Sequence, residues 1–517
     1  MSRYDVILVG LGPVGAAAAI LFAESGLRVA AIERDEEIYR LPRAVNLDGE
    51  IVRAFQRFGR GEAVDGLMQT VREDDRVGFA NARREWLFGM PLNDFGTNGW
   101  PAINMFDQPE FEHYLRDEVL AEERVTPLIG YEATGFEDLG DGVRVCASAV
   151  ADGQTVELEG RYLLACDGAA STVRRLLGIG WHSLGYDHDW LVVDVTVHDG
   201  HTLDHDTVQV CDPDRIATYV CTKDPYRRWE FKLNPGETAE QMLDPDTVRS
   251  LIEPWTPPDS YEIRRTAVYQ FHAATADAWR VGNIFIAGDA AHQTPPFLGQ
   301  GMNAGMRDVI NLSWKLPLVI DGKASETLLD TYHAERDAHA RDLVDWAVSV
   351  GRLMEHLADV ERAVREGSEP PATPATLQSS GYGQGREQPP IREGVVEIEQ
   401  VSDSGSTGYL FSQPMVSGAG GTKRLDDLLG PGFALVVRDQ SALDLSDASQ
   451  AVLDALDART VVLEGLTETK GHFDRLFQAH DAALVRPDRI VFGHTTDTLT
   501  LDALIASLAR KLSMTMT

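Results

Sequence analysis

The chain has 517 residues, 43% hydrophobic and 25% charged, the balance of a globular protein long enough for two or three cores. Its 81 acidic and 47 basic residues leave a formal charge of −34, which repels nucleic-acid phosphates and anionic lipid, so neither is expected as a partner. Four cysteines (Cys146, Cys166, Cys211, Cys221) form no CxxC pair, which fits reduced thiols in a cytoplasmic protein.

Val6 to Val9 reads as a short buried strand of the parallel kind, and it runs into Gly10-Leu11-Gly12-Pro13-Val14-Gly15. An Ala-rich helix over Ala16 to Ala23 follows, Gly26 stops it, and Val29 to Ile32 forms the next strand, ending at Glu33. A dinucleotide binder needs those parts in that order. Gly10 permits the tight turn, Gly12 lets backbone approach a pyrophosphate, and Gly15 lets the helix pack close to the sheet. The free N–H groups and dipole of the helix N-terminus then favour the anion. The uncharged run from Val6 to Ala23 is long enough to suggest a membrane span, but Gly10 to Pro13 splits it into strand and helix.

Leu163-Leu164-Ala165 is a hydrophobic strand running into Asp167-Gly168 and a helix start. His198, His201 and His205 have loosely metal-like spacing, but they lie in a polar loop with nothing to fix their geometry, so no metal is expected. Ile216 to Thr222 and Arg228 to Leu233 read as a hairpin around Asp224-Pro225, with Tyr219 and Cys221 on one face and Trp229, Phe231 and Leu233 on another. Asn283 to Ala287 is a buried strand, followed by Gly288-Asp289 and, after Pro295, by Gly299-Gln300-Gly301-Met302-Asn303, which opens a helix extending past Trp314. An acid at a strand's carboxyl end beside a helix N-terminus can bond a polyol hydroxyl, and such glycines let N–H groups reach a flat heterocycle. His292 between them reads as a structural histidine, and Pro317 should kink or end the helix.

Ser325 to Leu357 has a strongly helical pattern, and Ser368 to Pro390 is a Pro-rich linker or surface strap. Beyond it come a strand (Phe433 to Val437), a helix (Gln450 to Leu456), a strand (Val461 to Leu463) and a helix (His472 to His480). Two strands meeting at Pro487-Asp488 and a last amphipathic helix (Leu499 to Leu512) complete a β-α-β-α-β-β-α order, that of a thioredoxin-like unit. With no cysteine after Cys221 it cannot do dithiol chemistry, so a structural or oligomerisation role is expected.

The three glycine and aspartate motifs, in this order and spacing, resemble the class A flavoprotein aromatic hydroxylases over about residues 4–360, and the tail resembles their phenol-hydroxylase-like branch. Local runs (Tyr39 to Ala44, Gly99 to Pro101, Arg227 to Phe231, Asn234 to Thr238, Leu484 to Arg489) are similar to the bacterial hydroxyphenylpropionate hydroxylases of that group. The resemblance implies an α/β fold, with α+β parts, in which a discontinuous Rossmann-like FAD-binding domain takes 1–75, 100–180 and 265–365. It implies an inserted β-sheet substrate domain at 76–99 and 181–264, a linker at 366–394, and a thioredoxin-like domain without CxxC at 395–517.

The same resemblance implies that Gly10, Gly12 and Gly15 hold the FAD pyrophosphate and Glu33 the adenosine ribose, that Arg34 also binds the cofactor, and that Arg43 and Gln108 line it. Asp167 and Gly168 would belong to the motif that meets both FAD and pyridine nucleotide, and Asp289 would bind the ribityl chain. Pro295 would sit near the flavin ring, and Gly299, Gln300, Gly301, Met302 and Asn303 would cradle it. No second dinucleotide fingerprint follows a strand, and the resemblance implies that NADH or NADPH binds transiently against the same domain.

The implied reaction is an NAD(P)H-consuming monooxygenation in which O₂ forms a flavin C4a-hydroperoxide that hydroxylates a phenolic ring, with a 3-hydroxyphenyl-alkanoate as the expected substrate type. A tailoring hydroxylase of a polyketide or heteroaromatic product is the alternative enzyme, and a flavin-containing binding or sequestration protein the alternative of another class. A base or acceptor is expected near the substrate hydroxyl, for which Tyr219, Tyr269 and Asp48 are candidates. Arg215, Arg227, Arg228 and Lys232 could meet a propionate. The expected partners are the small aromatic substrate and O₂, and a homo-oligomer stays open.

Overall fold

The computed structural model describes residues 3–69, 71–92, 95, 97–374 and 388–514. Most of the Pro-rich strap expected between Ser368 and Pro390 lies outside the described residues.

The first sheet is built on Tyr4–Val9, which runs parallel to Thr155–Ala165 on one side and Val29–Glu33 on the other. Ile284–Ile286 and Val125–Ile129 extend it in parallel at either side. Val6 to Val9 and Val29 to Ile32 are buried throughout, as a sheet covered by helices on both faces requires. Pro13–Glu24 packs on it with Gln108–Ala121 and Gln300–Ile320. The register aligns Val9 with Ala165 and Ala165 with Ile286. The turns that follow those strands therefore leave one carboxyl edge together, where open α/β sheets bind ligands.

The second sheet has eight strands and is dominated by Trp181–Val197 paired antiparallel with Tyr261–Ala276. Tyr226–Lys232, Ala217–Cys221, Thr207–Val210, Arg76–Ala80 and Trp86–Pro91 follow in order. A domain boundary at 264/265 is corrected here, because it would cut the strand Tyr261–Ala276, which stays in this sheet along its length. Alternation sorts the side chains. Leu191, Val193, Trp229 and Phe231 pack outward with Val248 and Ile252 of the helix Pro245–Ile252, while Val192, Thr218 and Glu230 face the other way, into a cavity.

Gln300–Ile320 contains Pro317 in its last turn, so the proline costs a late bond and the helix runs on to Ile320. Thr331–Glu366 is a long helix ending at Gly367 in a left-handed conformation. The tail's four-stranded sheet runs Arg459–Val462, Ala434–Val437, Ala482–Val485, Val491–His494, with the helices Asp447–Ala455 and Leu501–Lys511 beside it. The helix expected over His472 to His480 does not form. Gly471 takes φ 73°, Asp474 accepts from Leu476 N, and only a 3₁₀ turn, Arg475–Gln478, results. The tail docks through buried ion pairs, Arg53 Nη2 to Asp426 Oδ1 at 2.7 Å and Arg486 Nη2 to Glu335 Oε2 at 2.8 Å.

Candidate active site

A cavity of about 800 Å³ runs from the first glycine turn to the inner face of the second sheet. Tyr409, Leu410 and Ile490 of the tail close it, together with Gln388 and Pro389.

At the glycine end, backbone geometry separates three roles. Gly10 has φ 94°, and a Cβ there would meet the Cys166 carbonyl oxygen at 2.5 Å. A Cβ on Gly15 would collide with the Gly10 carbonyl, whereas one on Gly12 would meet nothing within 4 Å and would project into open space. Two glycines build the turn, and the third leaves room for something else. Glu33 accepts from Leu11 N at 2.7 Å and from Asp35 N at 2.9 Å, bracing the turn from the end of its strand. Arg34 is exposed, pairs with Asp35 at 3.5 Å and does not line the cavity.

Asp167 accepts from Thr172 N at 2.8 Å and Val173 N at 3.1 Å, capping a short helix, and its Oδ1 is buried without a partner among the described residues. Gly168, Asp289 and Arg43 line the cavity, with Asp289 exposed at its mouth. Gln108 accepts from Arg43 N at 2.7 Å and Ala44 N at 2.6 Å, which fixes the loop carrying Arg43. Gly12, open on its cavity side, and the exposed Asp289 along one trench fit a pyrophosphate with a polyol beside it, while the Asp167 carboxylate stays behind the lining.

Farther in, Gln300, Gly301 and Met302 line the cavity, and a Cβ on Gly301 would again meet open space. Asn303 works from behind, donating to Gly299 O at 2.9 Å and accepting from Asp48 N at 3.0 Å. Gly299 needs its φ of 62°, and a Cβ there would strike Asn46. Pro295 is buried outside the lining, with Thr294 and Pro296 at the surface in its place. Asp48 lines the cavity, accepting from Gln300 Nε2 at 3.2 Å and from Arg307. Burial pushes its carboxyl up, against the pull of Arg307.

Sequence reasoning missed Arg307 and its neighbour Asp308. Asp308 accepts from Gly288 N at 2.9 Å and pairs with Arg336 at 3.0 Å, and His292 Nε2 lies 2.8 Å from it. This ties the Gly288 turn to two helices and makes His292 structural. The signal was helical spacing, since Arg307 follows Asn303 by one turn and shares its face.

At the substrate end, Tyr219 is corrected. It stands opposite Trp229 on the outward face, stacks on Trp255 with ring centroids 5.4 Å apart, and donates to Asp204 O at 2.7 Å. Tyr269 lines the cavity with the Arg265 guanidinium 4.9 Å from its ring centre. Of the four cations considered, only Arg228 lines the cavity. Arg215 pairs with Glu237, Arg227 with Asp224 and Lys232 with Glu355. Glu230, also missed, lines the wall with its carboxyl pushed up to about 6 by burial, opposed by Arg228.

The FAD binding domain family matches residues 3–347, and the HcaD C-terminal domain family matches residues 408–511. A 3-(3-hydroxy-phenyl)propionate/3-hydroxycinnamic acid hydroxylase of Mycobacterium sp. (strain JLS) is 33% identical, covering 95% of this chain and 89% of its own. A probable NADH-specific resorcinol 4-hydroxylase of Rhodococcus jostii (strain RHA1) is 32% identical over 98% of this chain and 94% of its own. Aklavinone-11 hydroxylase, solved as a ternary complex with FAD and aklavinone, shares the fold at a TM-score of 0.80 and 24% identity, over 99% of this chain and 100% of that one. With a family match spanning both sheets and the trench between them, the chain belongs to the FAD-dependent aromatic hydroxylases.

Proposed function

We propose that this hydroxylase inserts one oxygen atom of O₂ into the ring of a meta-substituted phenol, drawing its reducing equivalents from NADH or NADPH. FAD, when bound, supplies hydride acceptance and oxygen activation. The observation that carries the reading is the single cavity joining the Gly12 turn to a wall that carries Tyr269 and Glu230. Gly12 and the N-terminus of Pro13–Glu24 would take the pyrophosphate, Asp289 the polyol chain, and Gln300 to Met302 the heterocycle.

The chain's own residues then position the ring and exclude water. Tyr269 and Asp48 are the groups to meet a phenolic hydroxyl, and Tyr409 and Leu410 close the tail side against solvent. Both curated relatives bear names of hydroxylases for rings with a hydroxyl and a second substituent meta to it, which supports this substrate class. The 800 Å³ must hold cofactor as well as substrate, which favours a single ring over a fused polyketide. The test is a purified yellow protein whose NADH or NADPH oxidation accelerates with meta-substituted phenols, with product gaining one oxygen by mass spectrometry. Oxidation that no phenol accelerates, with no oxygenated product, would favour a flavin-binding sequestration role instead.

A further inference from the structure

We propose that the substrate's second ring substituent is an uncharged hydrogen-bond donor, a hydroxyl above all, read by Glu230, and that a ring bearing a carboxylate is disfavoured. The inference rests on the reading that this cavity receives a phenol.

The second sheet presents two side-by-side rows to the cavity. In one, Arg228, Asp194 and Arg265 stand opposite one another on three adjacent strands. Arg228 donates to Asp194 Oδ1 at 2.7 Å, to Arg43 O at 2.8 Å and to Pro42 O at 2.7 Å. Arg265 Nη1 donates to the same Pro42 carbonyl at 2.5 Å and lies 3.6 Å from Asp194. These two arginines fasten the loop between the first sheet and the cavity, and their charge already faces a carboxylate. Arg43, the other cation of the lining, has its backbone fixed by Gln108 at the glycine end.

The neighbouring row holds Gln209, Thr218 and Glu230, again opposite one another. Thr218 Oγ1 donates to Gln209 Oε1 at 2.5 Å, which leaves the Gln209 amide nitrogen without a bond among the described residues. Glu230 is 5% exposed and accepts no hydrogen bond among the described residues, and its nearest charge is Arg228 Nη1 at 3.7 Å. A buried carboxylate that no donor reaches is costly until a ligand brings one. A phenolic O–H does so, and the bond to an ionised acceptor is of the strong kind. Within these two rows Arg228 and Arg265 balance Asp194 and Glu230, so a propionate set against Glu230 would add a charge beside a like one.

The experiment compares resorcinol with 3-(3-hydroxyphenyl)propionate on the FAD-loaded enzyme near neutral pH, by kcat/KM and by calorimetric Kd. Resorcinol should be preferred by about tenfold or more in both. Glu230→Gln, checked for folding by its melting curve, should narrow or invert that ratio by about tenfold, weakening the diphenol and tightening the carboxylate. A wild-type preference for the propionate, or a Glu230→Gln variant that weakens both ligands equally, would overturn the proposal. Calorimetry reads the preference even where neither ring is oxygenated, an outcome that would sink the hydroxylase reading separately.

Discussion

Arg228 Nη2 donates to the carbonyl oxygen of Pro42 across 2.7 Å, and by that bond the inner face of the second sheet grips the loop that borders the cavity. The same guanidinium holds Asp194, itself buried. Arg228→Met would leave that carboxylate with only the longer contact to Arg265. Breaking one side of a buried pair costs about 3–5 kcal/mol, which a denaturant midpoint would register, and FAD affinity should fall with it. Arg228→Met with Asp194→Leu should recover part of the stability but not the loop contact, so FAD affinity should stay low.

Gly12 and Gly15 make contrasting predictions although they belong to one motif. Gly15→Ala drives a methyl into the Gly10 carbonyl and should lower the apoprotein's melting temperature as well as its flavin content. Gly12→Ala meets nothing within 4 Å. It should melt like the wild-type apoprotein and yet bind FAD at least about tenfold more weakly, because only the pyrophosphate needs that space. Flavin-to-protein absorbance ratios and apoprotein melting curves separate the two, and equal flavin content in Gly12→Ala would refute the assignment.

The glycine turns and the strands feeding them were legible because each is local, set by apolar runs and by residues that suit tight turns. The wall of the second sheet was less so. Tyr219 and Tyr269 look alike in the sequence, and only strand register decides that one faces Trp229 and the other the cavity. Glu230 was hidden for the same reason, since its partners Thr218 and Gln209 arrive from other strands. Arg486 and Glu335 meet across the interface between tail and long helix, a pairing that no local spacing encodes. The short turn at Arg475–Gln478 misled because its apolar spacing suits a helix, while Gly471 and Asp474 break one.

Tyr269→Phe and Tyr219→Phe test that register directly. Tyr219 gives its hydroxyl to Asp204 O outside the cavity, so its loss should cost about 1 kcal/mol of stability and leave kcat/KM within about twofold. Tyr269 lines the cavity, and removing its hydroxyl should change kcat/KM for a phenol by about tenfold with little change in melting temperature. The reverse pattern in steady-state kinetics would mean that the substrate lies elsewhere.

The tail should undock in acid before the rest unfolds. Burial alone would raise the Glu335 carboxyl, but Arg486, Lys315 and two hydrogen bonds hold it down at about 2, and Arg489 and Arg53 do the same for Asp426. Both folded values lie below those of unfolded chains, so the unfolded state binds more protons in the gap. The stability is therefore present above about pH 4.5 and is lost as pH falls toward about 2, roughly 3 kcal/mol for Glu335. Hydrogen exchange in Ala434–Val437 as a function of pH would show it. Glu335→Gln should make that strand exchange faster at neutral pH and flatten its acid response.

Substrate choice should itself depend on pH. Burial raises the Glu230 carboxyl to about 6, with Arg228 on its own strand pulling down and Asp194 on the adjacent strand pushing up, and Arg265 beyond opposing Asp194. Because the folded value exceeds the unfolded one, the native state binds the extra proton between about pH 4.5 and 6, and stability from this group falls as pH rises through that window. Below about 6 the wall loses its negative charge while an alkanoate substrate stays ionised down to about 4.5. The Kd of 3-(3-hydroxyphenyl)propionate should therefore fall as pH drops from about 7 to 5, and that of resorcinol should rise as its charged acceptor is neutralised. Calorimetric Kd ratios across this range check the crossing. Glu230→Gln should abolish it, and a ratio that stays flat in the wild type would show that Glu230 does not face the bound ring.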